Sequence, residues 1–343
     1  MTQMKTALIL GVTGGIGGEM AAALSRHGWQ IKALNRNPAK AGARAGDGSE
    51  VPIGAAPASA APIGPAAAPA ITWIQGDAMI PADVIKAARG VSLIVHAVNP
   101  PGYRNWGQLV LPMLESTISA ARASGARILL PGTVYNYGPD AFPVLREDSP
   151  QNPRTRKGKI RAEMERRLKV AAASGVRSLV VRAGDFFGPS AGNNWFSQGL
   201  IKPGKPVTAI SFPGRRGLGH AWAYLPDLAE TMAQLVERES TLGAFETFHF
   251  EGHWDADGTQ MTQAIRAAIG NPNIAVRSFP WPLVTLLAPF VTLFREMREM
   301  RYLWRQPLRL SNERLARVLT TEPRTPLEQA VRTTLTGLGC LKS

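Results

Sequence analysis

The sequence predicts an α/β protein in which a doubly wound parallel sheet is followed by a smaller C-terminal α/β lobe. Apolar runs alternate with amphipathic segments through residues 1–190, which is the pattern of strand–helix–strand units. The run at 92–98 is apolar on both faces, as expected of a central parallel strand. A glycine-rich turn joins the first strand, which ends at Leu10, to a helix at 19–27. These three observations favour one parallel sheet with helices on both faces.

The glycine turn carries the strongest functional signal in the chain. Gly11, Gly14 and Gly17 are spaced G-x-x-G-x-x-G between the strand and the helix. Glycine permits a tight reversal, a close approach of backbone to a pyrophosphate, and close packing of helix on strand. The helix N-terminus then directs amide N–H groups and a positive dipole at the phosphates. We therefore predict a Rossmann dinucleotide site with these turn residues: Gly11, Thr13, Gly14, Gly15, Ile16 and Gly17.

The end of the second strand indicates which dinucleotide binds. An acidic residue at this point would bind the ribose 2′-hydroxyl of NAD. This chain has Asn35 followed by Arg36, and a guanidinium beside a neutral amide suits a 2′-phosphate. We predict NADP in preference to NAD. The alternative is that Arg36 is a solvated loop charge.

The third and fourth strands add further cofactor positions, because the carboxyl ends of parallel strands line the ligand crevice. Asp77, after a strand at 71–74, either accepts a hydrogen bond from the adenine amino group or caps the following turn. His96 is interpreted as a cofactor-side residue rather than an acid or base. The predicted cofactor positions here are Asp77, Ala78, His96, Ala97 and Val98.

Residues 41–70 are interpreted as a flexible surface insertion. They are almost entirely Ala, Gly and Pro, so they cannot bury enough apolar surface to offset their ordering entropy. A partner-binding arm is the alternative. We predict an NADP-binding domain at 1–190, which contains this insertion, and a substrate-binding lobe at 191–343, with 221–240 returning to the first domain. The predicted pocket residues of the lobe are Asn194, Trp195 and Phe196.

Composition limits the cellular setting. The 343 residues are 45% hydrophobic, which is ordinary for a globular protein with a sizeable core. The single cysteine, Cys340, excludes a disulfide framework within the chain and favours a reducing cytoplasm. The first residues lack a signal-peptide layout, and the longest apolar run, 283–294, is too short to span a bilayer. We predict a cytoplasmic location and no membrane partner.

Charge limits the partners. The net charge is +14, but the arginines are scattered, so we predict no specific nucleic-acid partner and expect attraction of a phosphorylated cofactor or acidic substrate. The five histidines lack paired ligand spacing on one helix, and no metal site is predicted. The apolar and then mixed stretch at 282–304, broken by Pro289, is interpreted as a helix over a small-molecule pocket or a homodimer contact, in preference to a membrane-surface helix.

A family resemblance follows from these motifs and from the segment 131–139, where a hydroxyl precedes a Tyr-Gly-Pro turn. Together with the glycine spacing and Gly-Asp after the third strand, it resembles the short-chain dehydrogenase/reductase superfamily, in particular the extended nucleotide-sugar epimerases and dehydratases. The resemblance implies oxidoreductase or epimerase chemistry on a carbonyl or nucleotide-sugar. It gives Thr133 the position of the catalytic serine or threonine. Later segments similar to this group are 148–153, 182–189, 220–227, 309–319 and 325–327.

The next helix departs from the family pattern. The family uses a Tyr-x-x-x-Lys pair, in which the tyrosine exchanges a proton with the substrate while the lysine lowers its pKa and holds the ribose. No tyrosine occurs at 154–165. If Lys159 matches the family lysine, Thr155 occupies the tyrosine position. If Arg161 matches the family lysine, Lys157 occupies the tyrosine position. The predicted catalytic residues are Thr133, Lys159 and Tyr135.

Three sources of the proton remain open, and the absence of catalysis is a fourth possibility. The three sources are a tyrosine from another direction (Tyr135, Tyr137 or Tyr224), a lysine whose pKa is lowered by burial and neighbouring cations, or a water held by Thr133. The first hypothesis is an NAD(P)(H)-dependent oxidoreductase or epimerase-like enzyme with a non-standard proton donor. The second is a non-catalytic NADP-binding sensor or scaffold protein. Turnover, as against tight binding without turnover, separates them.

Overall fold

The structure, a computed structural model, describes residues 5–46, 69–100, 105–190 and 194–341. The strands are β1 (Thr6–Leu10), β2 (Gln30–Asn35), β3 (Ile71–Gln75), β4 (Leu93–His96), β5 (Arg127–Thr133), β6 (Val144–Leu145), β7 (Ser178–Ala183), β8 (Asp185–Phe187), β9 (Ala209–Phe212), β10 (His220–Tyr224), β11 (Phe245–His249), β12 (His253–Asp255), β13 (Ala275–Ser278) and β14 (Arg309–Leu310).

The helices are α1 (Gly15–Arg26), α2 (Pro38–Gly46), α3 (Pro81–Ala87), α4 (Trp106–Ser124), α5 (Arg156–Ala172), α6 (Leu225–Glu237), α7 (Gln260–Ile269), α8 (Trp281–Leu287), α9 (Thr292–Glu299), α10 (Glu313–Leu319) and α11 (Leu327–Gly337). Short 3-10 turns lie at Val134–Asn136, Pro139–Ala141, Glu239–Thr241 and Met300–Trp304, and a π-helical turn lies at Phe196–Leu200.

The central sheet has seven strands in the order β11-β7-β5-β4-β1-β2-β3, and each neighbouring pair is parallel. Every residue of β1 and β7 is buried, because helices cover both faces of the sheet. From β1 the chain moves outward to β3 and then returns to β4 on the other side of β1. This reversal opens a crevice at the carboxyl ends of β1 and β4. The predicted doubly wound α/β fold is confirmed.

A smaller lobe follows, with short strands in sheets of two and three. Its core is aromatic, and Trp195, Trp222 and Trp304 are buried together. The Trp195 and Trp304 rings meet edge to face with centroids 5.4 Å apart. This packing holds the helical segment after α9 against the strands of the lobe.

Two elements from the second half of the chain return to the central sheet. β11 pairs with β7 at its edge, and α6 packs on α1. Trp29 Nε1 donates a hydrogen bond to Glu237 (2.6 Å), and His27 Nε2 lies 2.9 Å from Glu230 Oε1. We propose, on these contacts, that the domain division near residue 190 holds with the predicted return at 221–240.

Two sequence-based expectations about chain breaks have different outcomes. The helical stretch does break at Pro289, since α8 ends before it and α9 begins after it. The insertion does not begin at residue 41, because α2 extends to Gly46 and Ala41 is buried. The rest of the predicted insertion, 47–68, lies outside the described residues. Among the residues that are described, none of the helices has the length and apolarity to cross a bilayer.

Candidate active site

A cavity of about 870 Å³ runs from the glycine turn, past the ends of β4 and β5, to α9 of the lobe. Most residues predicted from the sequence as site residues line it. They are Gly11, Thr13, Gly14, Gly15, Ile16, Asn35, Arg36, Asp77, Ala78, His96, Ala97, Val98, Thr133 and Tyr135, with Asn194 and Trp195 of the predicted pocket residues. Gly17 lies behind the wall, Phe196 is buried in the lobe core, and Lys159 is exposed outside the cavity.

The glycine turn is shaped by two close backbone approaches. Gly11 has φ +91°, and a Cβ there would lie 2.6 Å from the carbonyl oxygen of Ala97. A Cβ on Gly17 would overlap the carbonyl oxygen of Gly11. Gly14 N–H donates to that same oxygen at 3.0 Å, and α1 starts at the next residue. The turn therefore presents bare backbone and a helix N-terminus to the cavity, which suits a diphosphate.

The predicted ribose and adenine residues form the outer end of the cavity. Arg36 is exposed there, while Asn35 Oδ1 accepts a hydrogen bond from the N–H of Asn37 (2.8 Å) and shapes the turn. Asp77 Oδ1 accepts from the N–H of Met79 at 2.9 Å, so the turn-capping use of this side chain is present. Its contact with adenine stays a prediction.

His96 presents a neutral ring to the cavity. Its Nδ1 lies 2.8 Å from Thr117 Oγ1, and the Thr117 hydroxyl donates to the carbonyl of Met113 (3.1 Å). Nδ1 therefore carries the hydrogen, and Nε2 is left as an acceptor without a partner among the residues described. Burial, with a smaller effect from the Arg161 charge, lowers the pKa of His96 to about 3. This low pKa disfavours an acid role for His96, and its contact with a cofactor stays a prediction.

The first turn of α5 favours one of the two registers that the sequence allows. Thr155 is the helix cap, since its Oγ1 accepts from the N–H of Gly158 at 3.0 Å. Lys159 points to the exposed face and is not in the cavity wall, so the geometry does not support the catalytic role we predicted for it. Lys157 and Arg161 line the cavity instead. They lie four positions apart on one face of the helix.

Lys157 is the buried cation of the site, with only 3% of its side chain exposed. Nζ lies 3.0 Å from Glu296 Oε2 and donates to the Glu296 backbone carbonyl at 3.3 Å. Its own N–H donates to Glu299 Oε1 (3.0 Å). Burial lowers the pKa of Lys157, and the Glu296 carboxylate opposes that shift.

Lys157 is held against the turn that carries Thr133. A Cβ on Gly158 would overlap the carbonyl oxygen of Tyr135, so α5 begins in direct backbone contact with that turn. Thr133 Oγ1 accepts a hydrogen bond from the N–H of Tyr135 at 3.3 Å. A hydroxyl, a phenol and an ammonium therefore all line the same cavity, and the backbone next to the ammonium contacts the turn that carries the other two.

The other predicted tyrosines are buried outside the cavity. Tyr137 Oη accepts from Arg182 Nη1 at 2.6 Å, and burial raises the pKa of both Tyr137 and Tyr224. Among the tyrosines that the structure describes, Tyr135 is the one in the cavity wall. Tyr103 lies outside the described residues.

The sequence does not single out Glu296. The stretch at 282–304, predicted from the sequence as a helix over a pocket or a subunit contact, contributes to this wall. Leu293, Met297 and Met300 line it, and so does the buried Glu296 on the same face of α9. A carboxylate at the helical spacing of an apolar stripe was the available signal. Arg161, which was noted only as a register marker, lies with its guanidinium 5.3 Å from the Trp106 ring centroid.

Asp185 also lines the cavity, 2.8 Å from His220 Nε2. It was missed as well, although it follows the strand that ends at Ala183. Across the described parts of the chain, no group of His, Cys, Asp and Glu side chains is arranged to hold a metal ion.

The parallel sheet, the glycine turn and the cavity at the point of strand reversal define a dinucleotide-binding protein of the Rossmann class. The sequence profile of the NAD dependent epimerase/dehydratase family matches residues 7–249, and the chain belongs to that family. The predicted resemblance to extended short-chain epimerases is confirmed. A comparison with curated protein sequences finds no significant match.

Solved structures with the same fold are similar over almost the whole chain. UDP-glucuronic acid 4-epimerase from Bacillus cereus, in complex with NAD, has TM-score 0.71 at 14% identity, covering 98% of this chain and 100% of that one. UDP-glucose 4-epimerase from Bifidobacterium longum, with NAD+ and UDP, has TM-score 0.69 at 11% identity and covers 98% and 100%. UDP-N-acetylglucosamine 4-epimerase from Bacillus cereus has TM-score 0.67 at 12% identity and covers 99% and 98%.

Proposed function

We propose that this chain is an NAD(P)(H)-dependent enzyme that oxidises or reduces a carbon–oxygen centre of a small molecule and uses Lys157 as its proton donor. Family membership supports the redox class. The observation that carries the proposal is a buried lysine in the cavity wall, at the start of α5 and against the turn of Thr133. The nucleotide-sugars named for the similar structures are the first substrate class to test.

The residues present fit a dinucleotide. Side chains at Gly11 and Gly17 would fill space that the turn keeps for backbone, and the N-terminus of α1 opens on the same part of the cavity. His96 Nε2 adds a buried acceptor that no described residue satisfies. When bound, the nicotinamide supplies or removes the hydride.

The chain's own residues then handle the proton. In the reducing direction the Lys157 ammonium donates a proton to the substrate oxygen, and the resulting amine recovers one from solvent. In the oxidising direction the amine accepts the hydroxyl proton. A lysine whose pKa is lowered by burial releases its proton more readily near neutral pH than an exposed lysine. Thr133 donates a hydrogen bond to the same oxygen, and Glu296 orients the ammonium.

We propose NADP as the preferred cofactor. Arg36 is exposed at the outer end of the cavity, directly after β2, and no carboxylate occupies that strand end. A guanidinium at this position forms charge-assisted hydrogen bonds to a 2′-phosphate. The crystallised relatives contain NAD, so this preference would distinguish the chain from them.

The test is a turnover screen on the purified full chain. NADPH and NADH oxidation would be followed with aldehydes, ketones and enones, and epimer formation from UDP-glucose, UDP-glucuronic acid and UDP-N-acetylglucosamine would be followed by NMR. We expect turnover that NADP(H) supports better than NAD(H). Tight NADP binding with no turnover on any of these compounds would contradict the enzyme proposal. It would favour the second candidate, a non-catalytic sensor or scaffold, in which the Lys157–Glu296 pair serves only to join α5 to the lobe.

A further inference from the structure

The α8–α9 hairpin carries an unusual exposed surface. Its outer face shows Leu283 (50% exposed), Leu286 (69%), Phe290 (85%) and Val291 (37%). These four residues, together with Arg295 and Arg298 on α9, are named here the hairpin patch. Residues 279–294 contain no charged side chain. Large apolar side chains gathered in one exposed segment mark a contact surface more often than single exposed ones do.

The exposure does not come from missing contacts with the lobe. Trp281, Val284 and Ala288 form the inner stripe of α8 and are buried. Leu283 and Leu286 lie on the opposite side of the helix, where a surface helix normally carries polar residues. The hairpin thus has two apolar faces, one packed on the lobe and one turned outward.

The rim of the patch is cationic. Arg295 and Arg298 are exposed on α9, next to the apolar tip. The Arg301 guanidinium lies 5.0 Å from the ring centroid of Trp281, the first residue of α8. Burial, and then the positive charges of Arg305 and Arg215, lower the pKa of Arg301.

The carboxylates of α9 offset only part of this charge, because the one nearest Arg295, Glu296 Oε1 at 3.7 Å from Arg295 Nε, also lies 3.1 Å from Arg156 Nη2. Glu296 is buried against Lys157, and Glu299 accepts from the Lys157 backbone N–H. The outward face of the hairpin is therefore apolar at its tip and positive at its rim. That combination is typical of segments that lie in the interface of an anionic bilayer, with the apolar tip in the acyl boundary and arginines at the headgroups.

We propose that the hairpin patch docks on a membrane surface that contains anionic lipid. A second copy of the chain is the less suitable occupant, because a two-fold contact through this patch would bring the arginines of both copies together. The inference revises the sequence-based prediction of no membrane partner, since a segment too short to span a bilayer can still lie on its surface. Leu293, in the adjoining first turn of α9, also lines the cavity, so docking would set the bilayer beside the active site.

The test is co-sedimentation of the full chain with vesicles. Phosphatidylcholine vesicles would be compared with vesicles of phosphatidylcholine and phosphatidylglycerol at matched ionic strength. We expect binding to the anionic vesicles and much weaker binding to the neutral ones. Leu286→Ser combined with Phe290→Ser should lower the partition coefficient by about tenfold or more, because both side chains lose their burial in lipid. Arg298→Gln alone should lower it by about fivefold.

Matched controls separate the patch from the general positive charge of the chain. Val170, on α5, is 60% exposed and lies outside the hairpin, so Val170→Ser should leave vesicle binding unchanged. Arg89→Gln removes an exposed arginine elsewhere and should have less effect than Arg298→Gln. All variants change exposed side chains, and thermal unfolding would verify that they fold.

Three results would overturn the proposal. The first is no binding of the unmodified chain to anionic vesicles. The second is equal binding by the Leu286→Ser, Phe290→Ser variant. The third is a dimer in sedimentation velocity that the same variant dissociates, which would assign the patch to contact between subunits.

Discussion

The glycine turn and the first turn of α5 contribute to the same cavity in different ways. The turn acts through backbone: Gly11 and Gly17 approach each other so closely that a Cβ on Gly17 would overlap the Gly11 carbonyl. The α5 turn acts through a side-chain pair, Lys157 and Glu296, that joins positions 139 apart in the chain. The glycine turn needs the absence of side chains, because a Cβ would collide with its backbone. The α5 turn needs the presence of two side chains, because they form an ion pair.

We propose that the first region binds the cofactor and that the second handles the proton. A site made of backbone accepts few residue types at each position of the turn. The spacing of its glycines therefore matches the family pattern. A site made of side chains can carry a different functional group at the same position, provided that the residue paired with it has a matching charge or hydrogen-bonding group. Here a lysine faces the cavity at the start of α5, and a buried carboxylate from the lobe accompanies it.

The largest effect is expected at Lys157. Lys157→Met should lower kcat by about 10²- to 10⁴-fold, the usual contribution of a general acid, with little change in NADP affinity. Lys159→Met, on the exposed face of the same helix, should leave kcat unchanged. Steady-state kinetics and calorimetric titration of the two variants would measure both quantities. Equal kcat values for the two variants would remove Lys157 from the chemistry.

The next effect is expected in the glycine turn. Gly17→Ala should weaken NADP and NAD by about a hundredfold or more and lower the free energy of unfolding by about 3 kcal/mol, because its Cβ meets rigid backbone. Gly18→Ala is the matched control, since a Cβ there would lie 3.4 Å from the Val12 carbonyl oxygen, an ordinary contact. Titration calorimetry and urea unfolding give the two values. Unchanged cofactor binding in Gly17→Ala would show that the turn does not hold the diphosphate.

Cofactor choice is expected to change by a smaller factor. Arg36→Ala should weaken NADP by about tenfold to a hundredfold through the lost charge-assisted contact, and NAD by less than about twofold. Lys40→Ala, an exposed cation in α2, should affect neither. The dissociation constants of both dinucleotides provide the test. An equal loss for NAD and NADP in Arg36→Ala would cancel the assignment of NADP.

The smallest effect is a shift in pH dependence. The Glu296 carboxylate raises the pKa of Lys157 against the lowering effect of burial, so Glu296→Gln should lower that pKa further. Carbonyl reduction needs the protonated lysine. The pH above which the rate of reduction falls should therefore be about one unit lower in Glu296→Gln than in the unmodified chain. Glu313→Gln, which changes an exposed carboxylate of the lobe, is the control. A shift to higher pH would contradict the acid role of Lys157.

The sequence was sufficient for the parts of the fold that depend on local patterns. The glycine turn, the strands around it and the break at Pro289 follow from spacing, alternation and backbone restriction. The helical residues at 41–46 were missed, because their Ala- and Gly-rich composition resembles the segment that follows. Tertiary contact of Ala41 with the core, rather than propensity, decides their conformation.

The α5 side of the cavity was less predictable, because it is formed between distant helices. The sequence offered two registers for α5, and only the cap at Thr155 and the packing of Gly158 on Tyr135 select Lys157 over Lys159. The apolar stripe of α9 could have indicated that Glu296 faces inward, but no sequence-based prediction made use of it. The pairing of Glu296 with Lys157 could not be inferred, because no local sequence pattern specifies which helix of the first domain the lobe packs against.

A crystal structure of the full chain with NADP tests the central claim most directly. We expect the diphosphate on the glycine turn and the nicotinamide beside Thr133, with Lys157 Nζ within hydrogen-bond reach, about 3 Å, of an oxygen bonded to the carbon above nicotinamide C4. Lys159 should remain in solvent. A nicotinamide ring bound with Lys157 beyond that reach, and with Tyr135 or an ordered water in its place, would contradict the account.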